Sequence, residues 1–188
     1  CQADPSEDLS AAFAAVGAIA VIRGPDGIRS VPVREFHVGP YETVVAPGEL
    51  LVEIQVPIMP GGGGSAYEKV ERRAGDWPVA AAGAAIWLDG DVVTDVGIGL
   101  TAVGAAHFAA PEAEQMLRGA AATAENFAEA GRIAAAHCNP SADQRGPVDY
   151  KRHLVGELTT RALTRAAARA RGQHAEPSPR PDGRTVEG

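Results

Sequence analysis

Cysteine is nearly absent from this 188-residue chain. Cys1 and Cys138 are the only two, which excludes a disulfide framework, and no Cys/His spacing fits a zinc site. Aromatic residues are scarce at 5%, so with 45% apolar residues the core has to be assembled mainly from Ala, Val, Leu and Ile. Positive charge is outweighed to a net −7, which removes the basic stripe that a nucleic-acid surface needs. The longest apolar run, 79–88, falls far short of the roughly 20 residues of a membrane-spanning helix. No basic segment followed by an apolar one opens the chain as a secretory signal would. A protein without a nucleic-acid partner or a membrane span is expected, in the cytoplasm, with length for one large or two small domains. The histidines His37, His107, His137, His153 and His174 are scattered and pair with no nucleophile or ligand cluster, so neither a catalytic residue nor a metal site is expected.

What is present divides the chain by its punctuation. In residues 1–59, Asp4 is placed to cap a helix, with Pro5 at its first position and Glu7 completing a capping-box-like pattern. Leu9, Ala12, Phe13 and Val16 supply its apolar stripe and Gly17 its stop. Strand-like runs at 18–23 and 28–33 are joined by Gly-Pro-Asp-Gly, a hairpin signal. A further run at 50–56 is bounded by Pro47-Gly48 and Pro57. Residues 60–64, Pro-Gly-Gly-Gly-Gly, read as a flexible linker. No helix start follows them, so they lack the fixed amide donors of a phosphate cradle. The 65–171 region opens with three antiparallel strands, the last two meeting at Asp89-Gly90, and closes with helices at 111–118, 123–137 and 148–171. The middle helix carries a stripe of Phe127, Gly131, Ala134 and Cys138. The last carries Leu154, Val155, Leu158, Ala162 and Ala166, with Lys151, Arg152, Arg161, Arg165 and Arg169 off the stripe. Strands grouped ahead of helices make this an α+β chain. Residues 172–188, rich in Pro, Gly and charge, are expected to be disordered.

Three segments carry a more specific signal. Ser65-Ala-Tyr-Glu-Lys-Val-Glu-Arg-Arg-Ala-Gly-Asp76, taken as a strand, sends Tyr67, Lys69 and Glu71 to one face and Ala66, Glu68 and Val70 to the other. An aromatic and a cation on one face can hold a planar anionic cofactor, although many ordinary strands share that pattern. Ala3-Asp4-Pro5-Ser6-Glu7-Asp8-Leu9 precedes it, and Asp143-Gln-Arg-Gly-Pro-Val-Asp-Tyr-Lys-Arg-His-Leu154 follows. In this order and at this spacing, from residue 1 to about residue 171, the chain resembles the FAD-binding medium subunit of the molybdenum hydroxylases, above all that of aerobic carbon monoxide dehydrogenase.

That resemblance implies an architecture and a role. Residues 1–59 would be the C-terminal half of the second FAD-binding subdomain, and 65–171 a domain of a three-stranded antiparallel sheet followed by a three-helix bundle. The N-terminal part, with both glycine-rich pyrophosphate loops, would be lacking. The implied cofactor is FAD, which passes electrons from [2Fe–2S] clusters to an acceptor. The molybdenum cofactor would reside in a large partner subunit and the clusters in an iron–sulfur small subunit, as in xanthine dehydrogenase-like enzymes. The fragment alone would then be inactive and hold FAD weakly. The alternative is a subunit-docking or assembly fragment that binds no flavin. By the same resemblance Asp8 meets the flavin's ribityl chain or ring edge, Leu51 contacts the flavin, and Tyr67 stacks on the ring. Lys69 would lie near the N1/C2 carbonyl edge, favouring the charge gained on reduction. Asp76 falls in a Gly-Asp-aromatic turn that approaches the flavin, ahead of Trp77, which reads as a packing residue. Asp8, Leu51, Tyr67 and Lys69 each have a plainer reading: a first-turn acid complementing a helix dipole, a core leucine, an interface tyrosine and a solvent-facing lysine. The run from Tyr150 to Leu154 reads as a structural or subunit-docking surface.

Overall fold

Alanine and glycine set the architecture, because small side chains let helices lie close to both faces of one sheet. The computed structural model describes residues 3–59 and 61–173. The run Ala-Ala-Ala-Gly-Ala-Ala at 80–85 sits in β7 (Pro78–Asp89), the centre of an antiparallel sheet ordered β6-β7-β8, with β6 (Gly63–Glu71) and β8 (Val92–Thr101) beside it. In register, Tyr67 faces Gly83 and Lys69 faces Ala81, while Gly97 and Gly99 face Ala85 and Gly83. Ala80, Ala82, Ala84 and Ile86 share one face with Val96, Ile98 and Leu100 and build the main core with α4 (Ala124–His137) and α5 (Val148–Ala170). The short α3 (Pro111–Leu117) adds Ala113 and Leu117 to that core. The opposite face receives α1 (Asp8–Ala15), backbone against backbone. A Cβ at Gly97 would come 2.0 Å from the carbonyl oxygen of Ala15, and one at Gly99 1.8 Å from that of Ala11. Only glycine permits so close an approach.

The first region forms a separate sheet in the order β2-β1-β5, from β1 (Ile19–Gly24), β2 (Gly27–Pro32) and β5 (Leu50–Gln55), all antiparallel. Ala18, Ala20, Ile22, Val33 and Phe36 fill its small core. A one-turn helix α2 (Val33–Phe36) and the short pair β3 (His37–Gly39) and β4 (Glu42–Thr43) follow β2, and the sequence pattern predicts none of them. The chain is therefore α+β, with a three-stranded antiparallel sheet and three helices in its second part.

Four sequence expectations need correction or fall outside the description. Asp4 does not cap α1. Its Oδ1 accepts the Ser6 amide at 2.8 Å in a local turn, and Glu7 caps the helix by accepting the amides of Leu9 and Ser10, each at 2.7 Å. Pro5 consequently lies ahead of the helix. The glycine run is not all linker: Gly63 and Gly64 belong to β6, and a Cβ at Gly64 would meet the Ala166 carbonyl of α5 at 2.1 Å. Lys151, expected off the stripe, is buried, its ammonium bonded to the Ser141 carbonyl and to Asp143, both at 2.9 Å. Spaced three and four residues before Leu154 and Val155, it falls within the stripe it was expected to avoid. The expected tail lies, apart from Gly172 and Gln173, outside the described residues.

Lys151 therefore ties the segment ahead of α5 to the helix. Lys151→Met keeps the apolar stem but strips the Ser141 carbonyl of its donor. A loss of about 1–3 kcal/mol is expected in urea unfolding, with secondary structure retained in the native baseline.

Candidate functional site

The pleat of β6 and the docking of α1 bring Asp8 against Tyr67 and Lys69, 59 and 61 positions further along the chain. Alternation sends Glu68 toward α5, where it pairs with Arg165, and sends Tyr67 and Lys69 toward α1. The first residue of α1, Asp8, meets both. Its Oδ1 accepts the Tyr67 hydroxyl at 2.9 Å and its Oδ2 accepts the Lys69 ammonium at 2.7 Å. Lys69 also pairs with Glu71 Oε2 at 3.0 Å. Burial, followed by the bond to Asp8, pushes the Tyr67 phenol far up, so it remains protonated and donates. Burial pulls the Lys69 ammonium down, but the bonds to Asp8 and Glu71 outweigh it and hold the group above the usual lysine value. The cluster opens to solvent through Asp8, whose side chain is 41% exposed, while that of Lys69 is 20% exposed.

The Tyr67 ring packs against Gly83, where an added Cβ would come 3.1 Å from Cδ2, and against Ala11 and Ala14 of α1. It is a wedge in the seam between helix and sheet as well as a hydroxyl donor. Leu51 and Asp76 do not join the cluster. Leu51 lies in β5 of the other sheet, 37% exposed and opposite Ile22. Asp76 stays within the turn between β6 and β7, its carboxylate accepting the Trp77 amide at 2.8 Å and its own amide donating to the Arg73 carbonyl at 3.0 Å. Trp77, expected as a packing residue, is 46% exposed.

Sequence reasoning left two partners unassigned. Glu71 is the first, although its place on the strand face of Tyr67 and Lys69 signalled it. The second is Glu114 of α3, which locks α1 to the sheet through Arg34. Glu114 is 2% exposed and accepts the Ile98 amide at 2.7 Å and both terminal nitrogens of Arg34 at 2.9 and 2.6 Å. Arg34 in turn donates to the Ala14 carbonyl near the end of α1 at 2.9 Å. A carboxylate set among Ala110, Ala113 and Leu117 at helical spacing was the available signal for a buried, partnered acid.

The donor set fits one end of a flavin. An ammonium has three N–H donors; two of those on Lys69 are engaged, and the third has no partner among the described residues and can meet a carbonyl acceptor. The Tyr67 oxygen retains acceptor capacity, and the exposed side of the Asp8 carboxylate can accept from a ribityl hydroxyl. The diphosphate end finds no such set among the described residues. The first amides of α1 are taken by the Glu7 side chain, and the glycines at 63–64 continue into a strand.

Residues 1–59 match the FAD binding domain in molybdopterin dehydrogenase, and residues 65–166 the CO dehydrogenase flavoprotein C-terminal domain. The carbon monoxide dehydrogenase medium chain of Afipia carboxidovorans is 38% identical over 168 residues, covering 89% of this chain and 58% of its own length. The glyceraldehyde dehydrogenase medium chain of Sulfolobus acidocaldarius is 32% identical over 165 residues, covering 88% and 58%. Among solved structures, carbon monoxide dehydrogenase from Hydrogenophaga pseudoflava superposes with a TM-score of 0.85 at 40% identity, covering 89% of this chain and 58% of that one. The chain thus spans less than two thirds of the length of these relatives. With the C-terminal domain match extending over more than half of its residues, it belongs to the family of carbon monoxide dehydrogenase medium (FAD) subunits.

Proposed function

We propose that this chain forms the flavin-edge half of the electron-transfer subunit of a molybdenum hydroxylase. One observation carries the reading: Asp8 from the FAD-binding match and Tyr67 and Lys69 from the C-terminal match meet in a single hydrogen-bonded cluster at the seam between them. FAD bound there would supply the exchange of electrons between one-electron iron–sulfur centres and a final acceptor. The chain's own residues hold and orient. Lys69 presents one free N–H and a positive charge, Asp8 fixes both Lys69 and the Tyr67 hydroxyl, and Tyr67 fills the seam that keeps α1 in place. Leu51 and Asp76 would contact the flavin from β5 and from the turn after β6. The molybdenum cofactor would be held by a large partner subunit and the [2Fe–2S] clusters by a small one, so substrate choice lies outside this chain.

The occupied α1 amides favour a second reading for the 188 residues taken alone, that of a docking or assembly unit without flavin. Absorbance after gel filtration of the chain mixed with FAD separates the two. Weak or no retention is expected of the chain by itself, and tight stoichiometric FAD would remove the docking reading.

The site is tested in the flavin-loaded holo-subunit. Lys69→Met removes a positive charge and leaves two carboxylates without their cation. The ratio of reduced to oxidised flavin at a fixed poise should fall about ten- to a hundredfold, or about 30–60 mV for a two-electron couple. Tyr67→Phe should loosen Asp8 and weaken flavin retention while α1 stays docked. Neither variant should alter the substrate preference of the assembled complex. If flavin content, spectrum and potential all match the wild type, the cluster is an ordinary packing seam.

A further inference from the structure

We infer that Glu71 is a positioning residue that fixes Lys69 against Asp8 and lowers the reduction potential of a flavin held at that edge. The inference rests on the reading that the flavin meets Lys69. Glu71 is not a loose surface acid. One of its oxygens takes the Lys69 ammonium at 3.0 Å, and the other accepts the Gly75 amide at 3.3 Å. Gly75 has φ +78, so its amide is set by a turn that favours glycine. The carboxylate is thereby anchored to the β6–β7 turn at one end and to the lysine at the other. Lys69 is one of only two lysines in the chain, against fifteen arginines. A compact ammonium, unlike a guanidinium fork, can be shared between two carboxylates and still direct one donor to a ligand.

The charge count then decides the sign. Asp8 and Glu71 together contribute two negative charges to the one positive charge of Lys69, so the cluster carries a net negative charge while Glu71 is ionised. A ring that gains negative charge on reduction is disfavoured beside it. Neutralising Glu71 leaves a balanced Asp8–Lys69 pair and makes reduction easier. Lys69 and Glu71 thus act in opposite directions on the same cofactor, a pattern that follows from their pairing and not from the strand sequence alone.

Glu71→Gln tests this in the holo-subunit, with Lys69→Met and Glu71→Asp alongside. Two readouts are taken: the flavin midpoint potential by dye equilibration, and the side-chain nitrogen titration of Lys69 by NMR in lysine-labelled protein, where only Lys151 accompanies it. Glu71→Gln is expected to raise the ratio of reduced to oxidised flavin at a fixed poise on the order of tenfold, about 30 mV for a two-electron couple. It should also make Lys69 titrate at lower pH. Glu71→Asp, which keeps the charge but is too short to span Lys69 and the Gly75 amide, should restore the potential only in part. An unchanged Lys69 titration and an unchanged potential in Glu71→Gln would overturn the inference. If Lys69→Met moves the potential and Glu71→Gln does not, the flavin reading stands and this inference fails. If Glu71→Gln shifts the Lys69 titration while neither variant moves the potential, the flavin reading fails and takes the inference with it.

Discussion

Glu114→Ala is expected to destabilise the fold by about 3–5 kcal/mol, toward the lower end because Arg34 is partly exposed. At roughly 2–4 °C per kcal/mol for a chain of this size, thermal unfolding should fall by about 6–20 °C. The substitution leaves the buried Ile98 amide without an acceptor and strands the Arg34 guanidinium. It removes in one step the acid that joins α2, α3 and β8. Glu114→Gln retains an acceptor for Ile98 and should cost less, as should Arg34→Met, which leaves the buried carboxylate the Ile98 amide at 2.7 Å and a longer pairing with Arg118 at 3.4 Å. In the double variant the two losses should fall well short of adding, because each single change already breaks the pair. Differential scanning of the four proteins decides it. A loss below about 1 kcal/mol for Glu114→Ala would mean that this pair is solvated and contributes as little as a surface ion pair.

The same clamp shows where reading the sequence succeeds and where it runs out. Strand limits were legible because Gly-Pro-Asp-Gly and Asp89-Gly90 mark turns, and the β6 faces because strand side chains alternate and the register shift comes only at Val70/Glu71. The stripes of α4 and α5 were legible from their spacing, and Leu154, Val155, Leu158, Ala162 and Ala166 are all buried. Partners remote in sequence were not. Arg34 and Glu114 lie 80 positions apart, and Asp8 lies 59 from Tyr67 and 61 from Lys69. No local pattern fixes such a pairing; it follows from how α1 is laid on the sheet. The cap falls on Glu7 for a subtler reason. Asp4 and Glu7 both carry suitable acceptors, and Asp4 is consumed by its own local turn at Ser6, which leaves Glu7 to cap. Lys151 is expected off the stripe, although its spacing from Leu154 places it inward. The sheet glycines carry a signal of their own. Gly97 and Gly99 in one strand, with Gly83 opposite, are the signature of a close backbone approach and not of a weak sheet.

Those glycines carry the last expected result. Gly99→Val places a branched side chain where even a Cβ would lie 1.8 Å from the Ala11 carbonyl oxygen, a backbone atom that cannot rotate away. Either α1 lifts from the sheet or β8 bends, and both give up the burial of Ala11, Ala14 and Ala15. A cost of at least about 1–3 kcal/mol is expected, more than for Gly97→Ala, whose single methyl meets the Ala15 carbonyl near the helix end at 2.0 Å. Because Asp8 opens the same helix, its bonds to Tyr67 and Lys69 should weaken in parallel, and Lys69, losing an anionic partner, should titrate at lower pH. Gly61→Ala provides the control: nothing lies within 4 Å of the added methyl, so stability and Lys69 titration should both stay at the wild-type values. Urea unfolding and lysine NMR on the three variants separate the possibilities. A Gly99→Val protein that unfolds within about 0.5 kcal/mol of wild type would show that α1 does not rest on β8, and the Asp8–Tyr67–Lys69 cluster would lose the contact that assembles it.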